Sequence, residues 1–483
     1  MTDSELVRWG TPTARRLLLT CVLGSSMAFL DGTVVNVALP AISEDLDAGL
    51  AGLQWVVNAY LVSLTAFVLL GGLLGDRYGR RRVFLVGVVA FTLTSILCGA
   101  APNLWTLVLA RALQGVAAAL LVPGSLAMLT GSFHPEDRSR AVGSWSGLSG
   151  VSAAVGPLLG GWLVESFSWR WVFLINVPLA AVTLVAARGL PADLPAVAPP
   201  SLDLGGALTV AASLGLLTAG AIEHGASWSW YAIAAGAALF VAFLLIEARG
   251  RDPMMPLSLF TSQQFSGANA VTFVVYAGFG VSTFLLVVVL QTSLGYSPIE
   301  AGAAEMPITI LMLLLSSRAG ALAQRIGPTL PMTVGPLVIG LGLAWLSILQ
   351  PGDSYFAVVL PSMTVLGLGL AITVAPLTAV VLAAVDERHL GVGSGVNNAV
   401  ARLAGLFGVA VIPALAGFDL TAAANDELPG FQTSILIGAG MCVVGGLISL
   451  LTIRRAEVVT PTVQASPLVP CGDPCRREEA AAA

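Results

Sequence analysis

Three charged side chains stand alone in long apolar stretches of this sequence. Asp31 is the only acid or base between positions 17 and 43, Arg111 between 104 and 133, and Glu305 between 301 and 317. Charges in such surroundings are costly and mark the paths of ions or polar ligands. A buried carboxylate near an arginine can hold and release a proton. We interpret all three as candidates for proton coupling. The alternatives are a static ion pair for Asp31 and Arg111, and an acid that reaches the outer water for Glu305.

A second group of charges lies in the stretch 72–82, which reads GLLGDRYGRRR. Glycine permits the close turn that joins two helices, and an Asp there can pair with a nearby Arg or cap a helix. We expect a polar network here, formed by Gly72, Asp76, Arg77, Gly79, Arg80 and Arg81. The simpler interpretation is that the arginines only hold this loop on one side of a membrane.

Small residues recur along one later apolar segment. They form a face on which another helix can pack closely, with a proline that adds a local bend; the residues are Gly143, Gly156, Pro157, Gly160 and Gly161. Polar and aromatic residues in other apolar segments are candidates to line a cavity or to form hydrogen bonds between helices: Asn36, Asn58, Tyr60, Gln114, Tyr276, Asn397 and Arg402. Arg402 can pair with an acid or contact an anionic group.

The composition determines which elements can position these residues. Of the 483 residues, 56% are hydrophobic and only 10% are charged, and the mean hydropathy is +0.89. A soluble domain carries about 25% charged residues, so this chain needs hydrocarbon as its main solvent. No basic run indicates nucleic-acid binding, and the five cysteines support neither a disulfide framework nor a metal site. We expect no cofactor other than the proton.

Fourteen apolar segments are long enough to cross a bilayer as helices. They lie near 14–40, 53–75, 83–101, 104–130, 141–165, 170–188, 204–222, 229–247, 266–291, 300–319, 329–349, 355–383, 392–416 and 431–453. With both termini in the cytoplasm, 19 of the 22 arginines fall in cytoplasmic segments. This asymmetry predicts a multi-pass protein of the inner membrane with cytoplasmic N- and C-termini.

Two internal echoes indicate a duplicated architecture. GLLGDRYG at 72–79 is echoed by GALAQRIG at 320–327, and EDRSRAVGS at 136–144 by DERHLGVGS at 386–394. The offsets are nearly equal, which predicts two six-helix bundles, with segments seven and eight left over as an inserted pair. We expect an N-terminal bundle at 1–190, a linker with the inserted pair at 191–250, a C-terminal bundle at 251–455 and a disordered cytoplasmic tail at 456–483.

Four ordered motifs carry a family resemblance across residues 14–455. LDGTVVNVALP at 30–40, GLLGDRYGRRR at 72–82, RALQG at 111–115 and GPLLGG at 156–161 resemble signatures of the major facilitator superfamily, in its branch of 14-helix drug:proton antiporters. The resemblance implies that the stretch 72–82 latches the two halves when the cytoplasmic side is closed. It also implies that the small-residue helix seals a proton leak. In the second-half echo, Gln324 stands at the position that Asp76 occupies in the first, so a charged latch is expected in the N-terminal half only.

The resemblance implies proton-coupled export of hydrophobic drugs, with cationic compounds among them, by alternating access. The expected partners are the lipid bilayer, small hydrophobic substrates and protons, with no nucleic acid, and the chain is expected to act as a monomer. The same fold and coupling can instead export an endogenous metabolite or lipid. A membrane-embedded enzyme is disfavoured because the sequence shows no nucleotide loop, no metal-ligand cluster and no Ser/His/Asp set. Asp31 and the antiporter signature also disfavour a non-transporting sensor.

Overall fold

A computed structural model describes residues 6–190, 203–250, 253–386, 390–420, 423 and 428–453. The first part of the predicted linker (191–202) and the whole predicted tail (456–483) lie outside the described residues. Sixteen α-helices are described within these ranges, together with a short 3-10 helix at Leu257–Thr261. The helices are α1 Pro12–Leu46, α2 Leu50–Tyr78, α3 Arg80–Gly99, α4 Leu104–Ser132, α5 Pro135–Ser166, α6 Trp171–Leu174, α7 Asn176–Ala186, α8 Leu204–Ile222, α9 Ser229–Arg249, α10 Gln263–Thr292, α11 Pro298–Ala304, α12 Met306–Ile326, α13 Thr329–Leu346, α14 Val359–Ala383, α15 Leu390–Leu415 and α16 Pro429–Thr452.

These helices account for all fourteen predicted crossings. Thirteen crossings are long and apolar enough to span a membrane, and one of them, Pro298–Ile326, combines α11 and α12. The remaining crossing is the shorter apolar stretch Trp171–Ala186, which is divided at Ile175 into α6 and α7. The predicted all-helical membrane fold with fourteen crossings is therefore confirmed.

The internal echo reappears in the backbone as two equivalent turns. Gly79 ends α2 with φ +98° and ψ 125°, and Gly327 ends α12 with φ +92° and ψ 157°. Only glycine adopts such positive φ values without strain, so both turns depend on this residue type. In each turn the glycine N–H donates to a carbonyl four residues earlier, at Gly75 and Ala323. The duplicated motif therefore encodes the same tight helical connection twice.

The packing of the helices follows the same duplicated plan. In the N-terminal half (α1–α7), α1 packs on α5 and α4 packs on both α2 and α3. In the C-terminal half (α10–α16), α10 packs on α15 and α14 packs on both α12 and α13. These are the same partners one repeat later. The residue boundaries of the two bundles stay a prediction.

Two seams join the halves, one formed by α2 with α15 and the other by α5 with α11. The inserted helices α8 and α9 pack on each other, and α8 also contacts both α2 and α15. Beside α2, a small apolar cluster joins Leu70 to Ala207 and Phe243 of the inserted pair. The pair therefore covers the α2–α15 seam from outside.

Side-chain hydrogen bonds join the two halves near one end of the cleft. We call the side where α1 begins and α16 ends the terminal face, and the opposite side the far face. Near the far face, Gln54 Nε2 donates to Val409 O at 2.7 Å and Gln291 Nε2 donates to Val37 O at 3.0 Å, which ties the halves together. Toward the terminal face, α5 packs less on α12 than it does on α11, and a Cβ at Gly147 would meet no atom within 4 Å. The cleft therefore widens toward the terminal face along α5.

Close packing of α2 on α4 predicts a specific sensitivity to added volume. A Cβ at Gly71 would collide with the carbonyl of Ala119, whereas a Cβ at Gly440 on α16 would meet no atom within 4 Å. We expect Gly71→Ala to lose about 1–3 kcal/mol of unfolding free energy through overpacking. Gly440→Ala, the matched control, should be neutral or slightly stabilising because alanine favours helix. Thermal unfolding of the purified variants in detergent tests this, and equal melting temperatures for the two would contradict it.

Candidate functional site

Asp31 lies at the centre of a buried polar network in the N-terminal half. Its side chain on α1 is fully buried. Oδ2 accepts a hydrogen bond from Arg111 Nη1 at 2.5 Å, and Oδ1 accepts one from Gln114 Nε2 at 2.8 Å. Arg111 and Gln114 lie one turn apart on α4, so they reach the same carboxylate. The predicted meeting of Asp31 and Arg111 thus takes the form of an ion pair.

A second layer of polar groups supports this carboxylate. Ser95 Oγ on α3 accepts hydrogen bonds from Gln114 Nε2 at 2.8 Å and from Asn176 Nδ2 at 3.0 Å. Asn176, at the start of α7, also lies 3.5 Å from Asp31 Oδ1 through the same nitrogen. Four helices of one half therefore converge on one carboxylate, and a network this well connected holds its geometry.

Arg111 is held from several directions at once. Its Nε donates to Val56 O at 3.0 Å, and its guanidinium lies 4.3 Å from the Tyr60 ring centroid and 5.7 Å from that of Phe173. The Tyr60 hydroxyl in turn donates to Ala28 O at 3.2 Å. Stacking and ion pairing compensate the buried positive charge, which would otherwise be costly in hydrocarbon.

A cavity of about 120 Å³ lies between the two halves beside this network. It is lined from the N-terminal half by α1, α2 and α4, and from the C-terminal half by α10 and α15. Asn36, Tyr60 and Arg111 are the residues of the predicted site among its lining. A Cβ at Gly32 or Gly405 would meet no atom within 4 Å, so these two glycines leave open space in the cavity wall.

Glu305 lies at the interruption between α11 and α12. It ends the first helix and begins the second, and its Oε1 is buried without a hydrogen-bond partner among the described residues. Proline at the second position of α12 is compatible with this helix start, because its missing N–H is not needed there. A carboxyl group with an unsatisfied buried oxygen is suited to carry a proton.

The remaining candidates for the cavity occupy different environments. Gln114 belongs to the Asp31 network, and Asn397 Nδ2 donates to Thr272 Oγ1 at 2.8 Å, which joins α15 to α10. The Asn58 amide is buried without a hydrogen-bond partner among the described residues, and Tyr276 packs at the edge of the main apolar core. Arg402 lies on α15, one turn from Gly405 of the cavity wall.

The stretch 72–82 forms its polar network within the N-terminal half. Asp76 Oδ1 forms an ion pair with Arg80 Nη2 at 2.9 Å, and Arg80 Nη1 donates to Ala127 O at 3.1 Å. Arg81 Nη1 donates to Leu190 O at 2.7 Å. These bonds attach the α2–α3 turn to the ends of α4 and α7. The Arg77 guanidinium lies 5.7 Å from the centroid of the Tyr78 ring. A Cβ added at Gly72 would lie 3.8 Å from the Cβ of Pro123.

The small face of α5 serves two different contacts. Gly156 and Gly160 lie against Thr33 and Val34 of α1, where any added Cβ would overlap. Thr33 Oγ1 also lies 3.1 Å from Ala153 O, as an additional bond between these helices. This part of the face therefore fixes α5 to the helix that carries Asp31.

The other part of the α5 face forms the far-face seam with α11. A Cβ at Gly161 would collide with Pro298 and Ile299, and a Cβ at Gly302 would collide with the Pro157 carbonyl. The backbones of opposite halves thus lie in direct contact here, and only small residues allow so close an approach. Gly143, near the start of α5, has no such neighbour, since a Cβ there would meet no atom within 4 Å.

Sequence reasoning missed several residues of this site. Ser95 is a single hydroxyl in an apolar helix, and its only signal is that it follows Phe91 by one turn on a buried face. Gly32 and Gly405 contribute to the site through the space that they leave in the cavity wall. A glycine in a sequence does not by itself indicate that it lies beside a cavity. No group of three or more His, Cys, Asp or Glu that could hold a metal occurs within the part of the chain that the structure describes.

The Asp31–Arg111 pair should behave as a coupled unit. Removing one partner leaves the other charge buried and unpaired, so Asp31→Asn and Arg111→Gln should each cost roughly 3–5 kcal/mol of unfolding free energy. The double variant should cost less than the sum of the two, with a coupling of about 1 kcal/mol or more. Denaturant unfolding in mixed micelles measures this cycle, and additive losses would contradict the coupling.

The seam at Gly302 should control access to the cavity from the far face. A cysteine introduced by Val57→Cys in the cavity wall serves as a reporter for a membrane-impermeant thiol reagent added on the far side. Gly302→Leu should make this cysteine react roughly tenfold faster, because overpacking of about 1–3 kcal/mol destabilises the conformation with the seam closed and not the one with it open. The three described cysteines are buried; Cys471 and Cys475 should be replaced by Ser for this assay. Gly143→Leu is the control, and an unchanged rate in Gly302→Leu argues against the seam as a barrier.

Comparison with curated proteins identifies resistance and export proteins as relatives. The chain is 35% identical over 405 residues to the tetracenomycin C resistance and export protein of Streptomyces glaucescens, covering 82% of this chain and 75% of the relative. It is 33% identical over 470 residues to the puromycin resistance protein pur8 of Streptomyces alboniger, covering 93% of both chains. It is 34% identical over 447 residues to a probable actinorhodin transporter of Streptomyces coelicolor, covering 88% of this chain and 77% of the relative.

Solved structures and a family model agree with this relationship. The crystal structure of a D-xylose–proton symporter matches with a TM-score of 0.66 at 15% identity, covering 92% of this chain and 98% of that chain, which supports the fold alone. The model of the Major Facilitator Superfamily matches residues 21–203, 204–409 and 271–477. The buried network, the paired seams and these similarities lead to one conclusion: the chain belongs to the Major Facilitator Superfamily of membrane transporters.

Proposed function

We propose that this protein is a proton-coupled exporter of hydrophobic drug-like compounds that works by alternating access. The observation that carries the proposal is the Asp31–Arg111 ion pair, which is buried directly behind the cavity wall between the two halves. The resistance and export proteins among its relatives support the direction of transport. The alternative cargo is an endogenous metabolite or lipid, which the same site would serve.

We further propose that the terminal face is cytoplasmic and that the membrane is the inner membrane. The positive-inside rule supports this orientation, because the turns at 79–82 and 133–140 on that face are rich in arginine. The cleft that widens toward this face is then the entry for cargo from the cell interior. In this arrangement the described conformation faces inward.

Coupling follows from competition for the Asp31 carboxylate. With Asp31 ionised, its two oxygens hold Arg111 and Gln114 and the N-terminal half keeps one arrangement. A proton on Asp31 removes the charge that pairs with Arg111, so the guanidinium is free to repack toward Tyr60 and the cavity. A cargo that favours one arrangement then favours one protonation state, which is the requirement for exchange.

Glu305 provides a second proton position in the other half. Its place at the α11–α12 interruption, beside the α5 seam, makes its environment sensitive to separation of the halves at the far face. When that seam opens, the buried Oε1 gains water, and the carboxyl group can exchange its proton with the far side. In the opposite conformation, the Asp76 and Arg80 turn is the contact proposed to latch the halves at the terminal face.

Everted vesicles test the coupling. A pH gradient is imposed, and ethidium, puromycin or an aromatic carboxylate is added in separate assays while a fluorescent amine reports proton release. The native protein should dissipate the gradient on addition of a transported compound. Asp31→Asn should lower this signal by about tenfold or more, because removal of a proton-transfer group lowers the rate of the step by at least that factor. Glu305→Gln should lower the signal as well.

Glu44→Gln is the matched control, because Glu44 lies on the same helix as Asp31 but is exposed at the far face. It should leave proton release unchanged. Cargo-induced proton release that survives in both Asp31→Asn and Glu305→Gln would defeat the proposal. Accumulation of one cellular metabolite without any drug resistance would favour the alternative cargo.

A further inference from the structure

Arg402 occupies the C-terminal half's side of the cleft. It lies on α15 three residues before Gly405 and seven before Val409, both of which line the central cavity, so the three share one face of the helix. Across the seam, Arg402 and Tyr60 of α2 are close enough to interact electrostatically. Since α15 runs from the terminal face, Arg402 lies on the terminal-face side of the cavity.

Unlike Arg111, Arg402 has no compensating partner among the residues that the structure describes. Its Nε is buried without a hydrogen-bond acceptor, and no ion pair is formed by it within the described ranges. An arginine stays protonated in proteins, so it cannot relieve this cost by losing its charge. A permanent cation inside the membrane region therefore requires water or an anion that the protein itself does not supply.

Neither buried acid of the proton-coupling site fills this role. Both oxygens of Asp31 are already occupied, by Arg111 on one side and Gln114 on the other. Glu305 belongs to the α11–α12 junction, and α11 packs on α5, α1, α10, α12 and α14. The Glu305 carboxyl has its own unsatisfied oxygen and forms no ion pair with Arg402. The positive charge of Arg402 is therefore not paired with either of these acids.

We propose that Arg402 binds the acidic group of the cargo, so that the transported compounds are amphipathic anions with one carboxylate or similar group and an apolar aromatic body. This inference rests on the proposed export function and specifies its substrate class. The planar guanidinium fork matches a carboxylate with two hydrogen bonds, which is the strongest recognition available to it. Tyr60 and Phe284 of the cavity wall provide aromatic surface for the body of the molecule.

The size of the cavity places the cargo partly outside it. Drug-sized ligands occupy pockets of about 300–1,000 Å³, whereas the central cavity measures about 120 Å³. The acidic group at Arg402 would therefore lie in the wider cleft, with the aromatic body directed toward Gly32 and Gly405, where the wall leaves room. A cargo anion would also neutralise Arg402 before the cleft closes around it.

A matched pair of fluorescent probes tests this inference. The full chain in phosphatidylcholine nanodiscs is titrated with 7-diethylaminocoumarin-3-carboxylate and with its uncharged 3-carboxamide, and binding is followed by anisotropy. The native protein should bind the carboxylate about tenfold or more tightly than the amide, the size expected for a charge-assisted hydrogen bond. No preference, or no binding of the carboxylate, would overturn the inference without any variant.

Two variants locate the preference at Arg402. Arg402→Gln should remove it by weakening carboxylate binding while leaving the amide unchanged, and Arg402→Lys should keep part of it. Arg318→Gln, an exposed arginine of α12, is the control and should behave as the native chain. A preference that persists in Arg402→Gln would place the anion elsewhere and contradict the proposal.

Two further arms separate related outcomes. Nanodiscs that contain phosphatidylglycerol show whether a lipid phosphate takes the same position, because it would then compete with the carboxylate in the native chain but not in Arg402→Gln. Asp31→Asn separates this inference from proton coupling. If coupling fails, proton release will be absent, yet the carboxylate preference in equilibrium binding will remain.

Discussion

The ion pair between Asp31 and Arg111 is the interaction on which the N-terminal half depends. A carboxylate in the middle of a membrane protein is tolerated only when its charge and its hydrogen bonds are satisfied by the protein. Meeting this demand brings α1, α3, α4 and α7 to one point, through Ser95, Gln114 and Asn176. The same demand places the guanidinium against Tyr60, at the wall of the cavity. The structure of one half thereby depends on one buried carboxylate.

The two halves share a plan but divide the chemistry unequally. The equivalent turns at Gly79 and Gly327 and the equivalent helix pairs preserve the duplicated backbone. Among the described residues, however, Asp31 and Arg111 of the N-terminal half are paired, whereas Glu305 and Arg402 of the C-terminal half each retain an unsatisfied atom. The two copies therefore share a backbone plan and differ in how their buried charges are satisfied. Because the second turn depends on Gly327, Gln324 can stand where the first copy has Asp76 without loss of the turn.

The fourteen crossings and the duplicated plan could be predicted from the sequence because hydropathy and motif spacing act locally along the chain. The meeting of Asp31 with Arg111 was predictable too, since each is a single charge in an apolar helix and must find a partner. Ser95 was not, because a lone hydroxyl most often bonds to its own helix, and only the packing of α3 on α4 aims it at Gln114. Pro307 indicated that this helix could open near Glu305, but not that one helix ends and the next begins at Glu305 itself, because a proline fits the start of a helix as well as a bend within one.

The inserted pair breaks the symmetry of the two seams. Because α8 packs on both α2 and α15, that seam is covered from the side, whereas no inserted helix in the described part of the chain packs on α5, α11 or α12. Among the described helices, the inserted pair therefore shields only one flank of the cleft from the lipid. The flank without an inserted helix is lined by the first half of α5, where Gly143, Gly147 and Gly150 carry no side chain that would obstruct a molecule approaching from the bilayer.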